Sequence, residues 1–224
     1  MYKAIFFDVD DTLLNFQTSS HAAFIKACST MNLTYEDRIF NLFTEIDAAL
    51  WTEQKKNRLT VQQVVDTRFQ QLFTQLSLPY SASEMNYIYL GNLANEYALE
   101  PAVMEVMQYL APKYQLYVAS NGFLSMQQSR LKLASLSGYF ADLYVSNDIG
   151  FEKPDQRFFQ EMLKRSKLGS KEVLFVGDSL EADMAGASNY NIATCWYNPS
   201  NRQGIAGVSP NYTIQNLSQL MTIV

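Results

Sequence analysis

The stretch Lys3-Ala4-Ile5-Phe6-Phe7-Asp8-Val9-Asp10-Asp11-Thr12-Leu13-Leu14 joins a short apolar run to a cluster of acids. The run Ala4–Phe7 is typical of a parallel strand that is buried on both faces. Three carboxylates follow it directly, and ligands bind at the carboxyl ends of strands in an open α/β sheet. Neighbouring carboxylates repel one another unless a cation neutralises them, and carboxylate oxygens suit Mg²⁺. The stretch therefore predicts either a metal site at a sheet edge or a polar loop that caps the next helix.

The composition describes a globular chain with an acidic balance. Of the 224 residues, 48% are hydrophobic and 17% are charged, which suits one domain or a compact domain with an insertion. The net charge is −5 and the cations are scattered, so the chain lacks the basic stripe that binds nucleic-acid polymers. With no leader-like or bilayer-spanning run, we expect a cytoplasmic protein with no membrane attachment. Cys28 and Cys195 have no partner motif and are expected to be reduced and buried.

Helical periodicity dominates the part of the chain that follows the first strand, from about residue 21 to residue 97. The helices predicted there connect no strands, so they form an insertion rather than a crossover. We therefore expect two domains. The core domain comprises residues 1–14 and 96–224, and the helical domain comprises residues 15–95.

Local signals predict where several helices start. Ser20, the last residue of a polar linker over residues 15–20, is a candidate N-cap. Thr60 and Ser81 each begin a capping box, with an amide or an acid three residues later. Pro101 and Pro154 suit the first turn of a helix because proline has no N–H to leave unpaired there.

Strand and helix patterns alternate after Pro101, which is the sign of a parallel sheet. This alternation predicts a doubly wound α/β core with an α-helical insertion after its first strand. The predicted strands are Leu116–Ala119, Leu143–Val145, Val173–Val176 and Ile192–Trp196, with a weaker strand near Tyr212.

Reactive side chains follow three of the predicted strands. Asp8 and Asp10 follow the strand Ala4–Phe7, and Ser120 with Asn121-Gly122 follows the strand Leu116–Ala119. Asp178 follows the strand that begins at Val173. Lys153 stands before a predicted helix start. Carboxyl ends of parallel strands meet at one sheet edge, so these groups are candidates for a single site.

The order and types of these residues resemble the four motifs of the haloacid dehalogenase-like hydrolase superfamily. The motifs are Asp8-Val9-Asp10-Asp11-Thr12, Ser120 with Asn121-Gly122, Lys153-Pro154, and Gly177-Asp178-Ser179 with Asp183 beyond it. The resemblance runs from Tyr2 to about Asn198. It implies the strand order 3-2-1-4-5, and it implies that the helical insertion is a mobile cap.

The resemblance also implies chemical roles. Asp8 would attack a phosphoryl group and form an aspartyl-phosphate, and Asp10 would be the general acid and base. Mg²⁺ would be held by Asp8, Asp178 and the backbone carbonyl of Asp10. Phosphate oxygens would be held by the Ser120 hydroxyl and by the backbone of the Asn121-Gly122 turn, and Lys153 would supply fixed positive charge.

Two further residues of the motifs have open roles. Asp183 either holds the side chains of the site in position, or it is an acid that is favoured in the first turn of a helix. That helix is predicted from about residue 181 to residue 188. Thr12 is a candidate for a similar supporting position.

Asp11 departs from the commonest pattern of the superfamily, in which Gly follows the second Asp. An Asp-x-Asp-Asp-Thr motif resembles the branch of house-cleaning pyrimidine 5′-nucleotidases, as do Leu50-Trp51, Arg58-Leu59-Thr60 and residues 194–199. This branch implies nucleoside monophosphates as substrates. Asp11 either hydrogen-bonds the turn or helps to select a base. Phe16 either stacks on a base or packs at the hinge.

Several rival functions use similar residues. A dehalogenase needs no acid at Asp10, and the single histidine, His21, is expected to be a helix-start residue rather than a catalyst. A phosphatase or phosphomutase acting on sugar phosphates would use the same four motifs. A phosphoacceptor signalling domain or a non-catalytic binding protein is a further alternative. The sequence favours a Mg²⁺-dependent phosphomonoesterase that acts on a small phosphorylated substrate as a monomer or homodimer.

Overall fold

A computed structural model describes residues 2–224, and this part of the chain divides into two compact units. The α/β core consists of the residues up to Asn15 together with Tyr97–Val224, and the helical unit is Phe16–Glu96. Within residues 2–224, each helix is either too short or too polar to span a lipid bilayer. Both cysteine thiols, Cys28 and Cys195, are buried.

The α/β core is organised around a parallel sheet of six strands within residues 2–224. The strands are β1 (Ala4–Phe7), β2 (Gln115–Ser120), β3 (Phe140–Val145), β4 (Val173–Gly177), β5 (Ala193–Tyr197) and β6 (Tyr212–Ile214). Their order is β3-β2-β1-β4-β5-β6, and the neighbouring strands pair in parallel. The predicted α/β fold and the order 3-2-1-4-5 are confirmed, and the weak strand near Tyr212 adds a sixth strand at the edge.

Strand β1 lies at the centre of the sheet because its side chains are apolar on both faces. Ile5 and Phe7 belong to one hydrophobic cluster, and Ala4 and Phe6 belong to the cluster on the opposite face. All four residues are fully buried, as expected of a strand covered by helices on both sides. The Phe6 ring stacks on that of Tyr117 in the neighbouring strand, with 4.7 Å between centroids.

Ten α-helices occur within residues 2–224. The helices are α1 (Phe16–Thr30), α2 (Asp37–Lys55), α3 (Val61–Gln75), α4 (Ala82–Leu93), α5 (Val103–Leu110), α6 (Leu124–Leu133), α7 (Ser146–Ile149), α8 (Gln156–Ser166), α9 (Gly186–Asn189) and α10 (Leu220–Ile223). Helices α1 to α4 build the helical unit around an aromatic core that includes Phe24, Phe43, Phe69 and Tyr89. The capping box at Thr60 is formed, because its side chain and that of Gln63 each accept a backbone N–H from the other residue.

Three predicted helix starts are wrong. Helix α1 begins at Phe16, and Ser20 lies inside it with its hydroxyl accepting a hydrogen bond from Tyr89. Helix α5 begins two residues after Pro101, because Ala102 adopts a left-handed φ of 65°. Helix α8 begins at Gln156 rather than at Pro154, because the Asp155 side chain caps it. The boundary of α5 follows from the backbone angle of Ala102, and that of α8 follows from a local cap at Asp155.

Glu100 is a buried carboxylate that joins distant parts of the α/β core. It accepts hydrogen bonds from the Asn15 side chain at 2.7 Å and from the Tyr197 hydroxyl at 2.8 Å. Leu14 and Leu99 form an antiparallel bridge beside it. Glu100 therefore ties the end of the acidic loop after β1 to the end of β5.

We expect Tyr197→Phe to lower the free energy of unfolding by about 1.5–3 kcal/mol, the usual worth of a hydrogen bond to a charged group. Urea denaturation measures this change. Tyr87→Phe is the matched control, because the Tyr87 side chain is 81% exposed. Equal stability of the two variants would contradict the importance of the Glu100 contact.

Candidate active site

The acidic loop lies at the carboxyl end of the central strand, between the ends of β2 and β4. Phe7 pairs with Val118 of β2 and with Val176 of β4. Asp8 continues the pairing, because its N–H donates to the carbonyl of Val176 at 2.9 Å. This register places Asp8 beside the ends of the strands that carry Ser120 and Asp178.

Lys153 is the buried cation of this edge. Its Nζ donates to Asp8 Oδ1 and to Asp183 Oδ1, both at 2.7 Å, and to the Ala119 carbonyl at 2.8 Å. The residue is 2% exposed, so its three donors are directed at protein atoms. Lys153 thus links the end of β2, the acidic loop after β1 and the segment after β4.

The side chain of Asn121 fixes the backbone of Lys153. Its Oδ1 accepts the Lys153 N–H and its Nδ2 donates to the Lys153 carbonyl, both at 2.8 Å. Gly122, with a φ of +141°, donates its N–H to the Ser146 hydroxyl at 2.9 Å. The predicted contact of this turn with phosphate stays a prediction, and the structure adds a positioning contact that sequence reasoning missed.

Three carboxylates come together beside Lys153. Oxygen atoms of Asp8, Asp178 and Asp183 lie within 4.8 Å of one another. Asp183 is buried, accepts the Ser179 N–H at 3.1 Å and stands in the first turn of the following segment, so its supporting role stays a prediction. The predicted helix around it is a π-helical segment, Leu180–Ala185, followed by α9. The cluster is a donor set of the kind that Mg²⁺ prefers.

Burial shapes the ionisation of the central pair. The pKa of Asp8 is raised to about 7, chiefly because the carboxyl is buried; the charge of Lys153 lowers this pKa and the charge of Asp183 raises it. For Lys153, burial lowers the pKa, but the charges of Asp183 and Asp8 outweigh burial and hold it above its ordinary value. The lysine is therefore a fixed positive charge.

The Asp10 side chain has separate partners on α6. Arg130 Nη1 donates to Asp10 Oδ1 at 2.5 Å, and Gln127 Nε2 donates to Asp10 Oδ2 at 3.0 Å. Sequence reasoning missed both partners. A signal was present, because residues 127, 130, 131 and 134 have the spacing of a buried helix face, and the first two are polar.

Asp178 is held by β5 and by the loop after it, and sequence reasoning missed these contacts as well. Its carbonyl accepts from Trp196 Nε1 at 2.9 Å and from Arg202 Nη2 at 2.7 Å. Arg202 is itself fixed, since its N–H donates to the Asn198 side chain at 2.8 Å. Part of the 194–199 stretch thus supports the end of β4.

Three remaining predicted residues have defined surroundings. Asp11 adopts a left-handed φ of 57°, a conformation that favours glycine, and its N–H donates to the Leu14 carbonyl. Thr12 is fully buried, and its hydroxyl has no hydrogen-bond partner among residues 2–224. His21 forms a 2.8 Å hydrogen bond with Tyr35 inside the helical unit.

Comparisons with known proteins show which family and which fold this chain resembles. Residues 2–191 match the family model of the haloacid dehalogenase-like hydrolases. The crystal structure of YfnB from Bacillus subtilis, bound to magnesium, aligns with a TM-score of 0.94 and 29% identity over 99% of this chain and 98% of that one. The pyrimidine 5′-nucleotidase PynA of Streptococcus pneumoniae is 28% identical over 98% of this chain and 94% of its own. The pyrimidine 5′-nucleotidase YjjG of Escherichia coli is 27% identical over 96% of this chain and 95% of its own.

Gly177→Ala is expected to displace the Asp183 carboxylate, because a Cβ at this position would lie 2.3 Å from Asp183 Oδ2. Overpacking of this kind lowers the free energy of unfolding by about 1–3 kcal/mol, which urea denaturation measures. Gly138→Ala is the control, since a Cβ there meets nothing within 4 Å. An equal effect of both substitutions would contradict the packing argument.

Asp8→Asn is expected to stabilise the metal-free protein increasingly as pH rises toward neutrality. Folded Asp8 keeps its proton up to a pKa of about 7, whereas the ordinary value is 3.8. Between these values the folded state binds more protons than the unfolded state, so stability falls with rising pH. Asparagine does not titrate, so the Asp8→Asn variant does not lose stability with rising pH in this way.

Melting temperatures in EDTA from about pH 5 to about pH 8 measure this difference. Asp142→Asn, at an exposed position of the core, is the control and should track the wild type. A difference between Asp8→Asn and wild type that stays constant with pH would contradict the raised pKa.

Proposed function

The chain belongs to the haloacid dehalogenase-like hydrolase family, and from this premise we propose that it is a Mg²⁺-dependent phosphomonoesterase with Asp8 as its nucleophile. The observation that carries the proposal is the grouping of Asp8, Asp178 and Asp183 around one sheet edge with Lys153 buried among them. Such a site pairs a nucleophilic anion with fixed positive charge, which is what attack on a phosphate dianion requires.

The donor set fits a magnesium ion. Asp8, Asp178 and the backbone carbonyl of Asp10 would hold it, with the Asp183 carboxylate beside them. When bound, the ion supplies positive charge that neutralises the phosphoryl oxygens.

The residues of the chain would then carry out two displacements. In the first, an oxygen of Asp8 bonds to phosphorus, the bond from phosphorus to the leaving oxygen breaks, and Asp10 gives that oxygen its proton. In the second, Asp10 takes a proton from water, the water oxygen bonds to phosphorus, and the bond from Asp8 to phosphorus breaks to release phosphate. General acid–base catalysis of this kind typically contributes ~10²–10⁴-fold.

The other predicted residues would position the phosphoryl group. The Ser120 hydroxyl and the backbone N–H of Asn121 would donate to its oxygens, and Lys153 would neutralise charge. The helical unit, Phe16–Glu96, would serve as the cap.

Pyrimidine nucleoside monophosphates are the substrate class that we favour. The support is the similarity to PynA and YjjG over nearly the whole chain, together with Asp11 in place of the commoner glycine. The reaction would remove nucleotides, including non-standard ones, before they enter nucleic acid. A sugar phosphate is the alternative substrate.

Phosphate release tests the proposal, with Mg²⁺ and with EDTA, over pyrimidine and purine monophosphates, sugar phosphates and p-nitrophenyl phosphate. We expect metal-dependent release that is fastest on a pyrimidine monophosphate, and a loss of at least roughly a thousandfold in Asp8→Asn. Asp142→Asn is the control and should keep full activity. If phosphate release is fastest from sugar phosphates, the proposed nucleotide substrates are wrong, whereas the proposed phosphomonoesterase reaction stands. Undiminished release by Asp8→Asn would refute the proposed nucleophile.

A further inference from the structure

We propose that Arg130 and Gln127 are positioning residues that hold the Asp10 carboxylate at the point of proton transfer and tie it to Ser120. This inference rests on the proposed function, because it assigns the two side chains to the acid–base step. They act through Asp10 and need no contact with substrate.

Both carboxylate oxygens of Asp10 are engaged, each by a different side chain. Arg130 binds Oδ1 and Gln127 binds Oδ2. The two donors also contact each other, since Arg130 Nη1 donates to Gln127 Oε1 at 3.3 Å. Two hydrogen bonds from two directions fix both the position and the rotation of a carboxylate, whereas one would leave it free to turn.

Burial makes the Arg130 contact specific. The Arg130 side chain is 0% exposed, whereas that of Asp10 is 30% exposed. A guanidinium that water cannot reach needs hydrogen-bond acceptors in place of water, and Asp10 Oδ1 is one of them. The exposed part of the Asp10 carboxylate is accessible to water and substrate, while the hydrogen bonds from Arg130 and Gln127 fix its position.

Gln127 connects the proton-transfer group to the predicted phosphate-binding group. Its Nε2 donates to Asp10 Oδ2 and lies 3.2 Å from Ser120 Oγ, to which it also donates. Gln127 and Arg130 stand one turn apart on α6, and Leu131 and Ala134 anchor the same face in the hydrophobic core. The two side chains therefore project from a rigid element, as precise placement of a site requires.

The chemical consequence depends on the leaving group. An alkoxide, such as the 5′-oxygen of a nucleoside, leaves with difficulty unless Asp10 protonates it as the bond to phosphorus breaks. The p-nitrophenolate ion is stable in water and leaves without that proton. Misplacing Asp10 should therefore slow alkyl phosphates much more than p-nitrophenyl phosphate.

The test compares kcat/KM on the best alkyl phosphate with kcat/KM on p-nitrophenyl phosphate. For Arg130→Met and Gln127→Leu we expect a loss of roughly 10–100-fold on the alkyl phosphate and less than about threefold on the aryl phosphate. Lys132→Met and Gln128→Leu are matched controls, because both residues are exposed on α6. Equal losses on the two substrates, or no loss, would overturn the inference.

A double variant tests whether the two residues act through Asp10. Asp10→Asn should show the same leaving-group pattern with a larger loss, and adding Arg130→Met should slow it no further. A further loss on the alkyl phosphate would assign Arg130 a separate role and overturn the inference. Gln127→Leu removes no charge. If Arg130→Met does not fold, the kinetic test is therefore made with Gln127→Leu.

Crystal structures of the variants give a readout that is independent of activity. In Arg130→Met the Asp10 carboxylate should turn from its wild-type position, while the hydrogen bonds of Lys153 to Asp8 and Asp183 remain. An unmoved Asp10 would overturn the inference even if phosphate release fails, and a moved Asp10 would support it. Failure of the wild type to release phosphate refutes the proposed function separately.

Discussion

The contacts of the buried Lys153 ammonium are the interaction on which the candidate active site at the sheet edge depends. A lysine removed from water is tolerated only where anions and carbonyls replace its hydration, and here Asp8, Asp183 and the Ala119 carbonyl do so. Asn121 clamps the backbone that carries this lysine. One cation thus joins the segments that follow β1, β2 and β4, which are far apart in the chain.

The two aspartates of the acidic loop stand in different electrostatic surroundings although one residue separates them. Asp8 is buried, lies beside a lysine and has a raised pKa. Asp10 is partly exposed and is bound by an arginine and a glutamine from α6. Strand geometry explains the divergence, because β1 delivers Asp8 between two neighbouring strands while the following turn directs Asp10 toward the helix after β2. Two carboxylates with separate partners can take separate roles in one reaction.

Support for the candidate site also comes from residues that carry none of its reactive side chains. Arg202 and Trp196, in and after β5, hold the Asp178 carbonyl. Gly177 leaves the space that the Asp183 carboxylate fills. Glu100 ties the acidic loop to Tyr197 at the end of β5. These contacts connect the ends of β1, β4 and β5 at one edge of the sheet.

The sequence by itself determined the α/β class, the central strand, the strand order implied by the four motifs and the family, because apolar runs and the residue types after them are local signals. It did not determine the starts of α1, α5 and α8. Ser20 lies buried inside α1, Ala102 has a left-handed backbone angle before α5, and Asp155 caps α8. Only the tertiary structure decided the surroundings of Asp10, Asp178 and Asp183. Their partners lie on other elements, as with Arg130, which is 120 positions from Asp10, and side-chain direction across such a distance is set by packing.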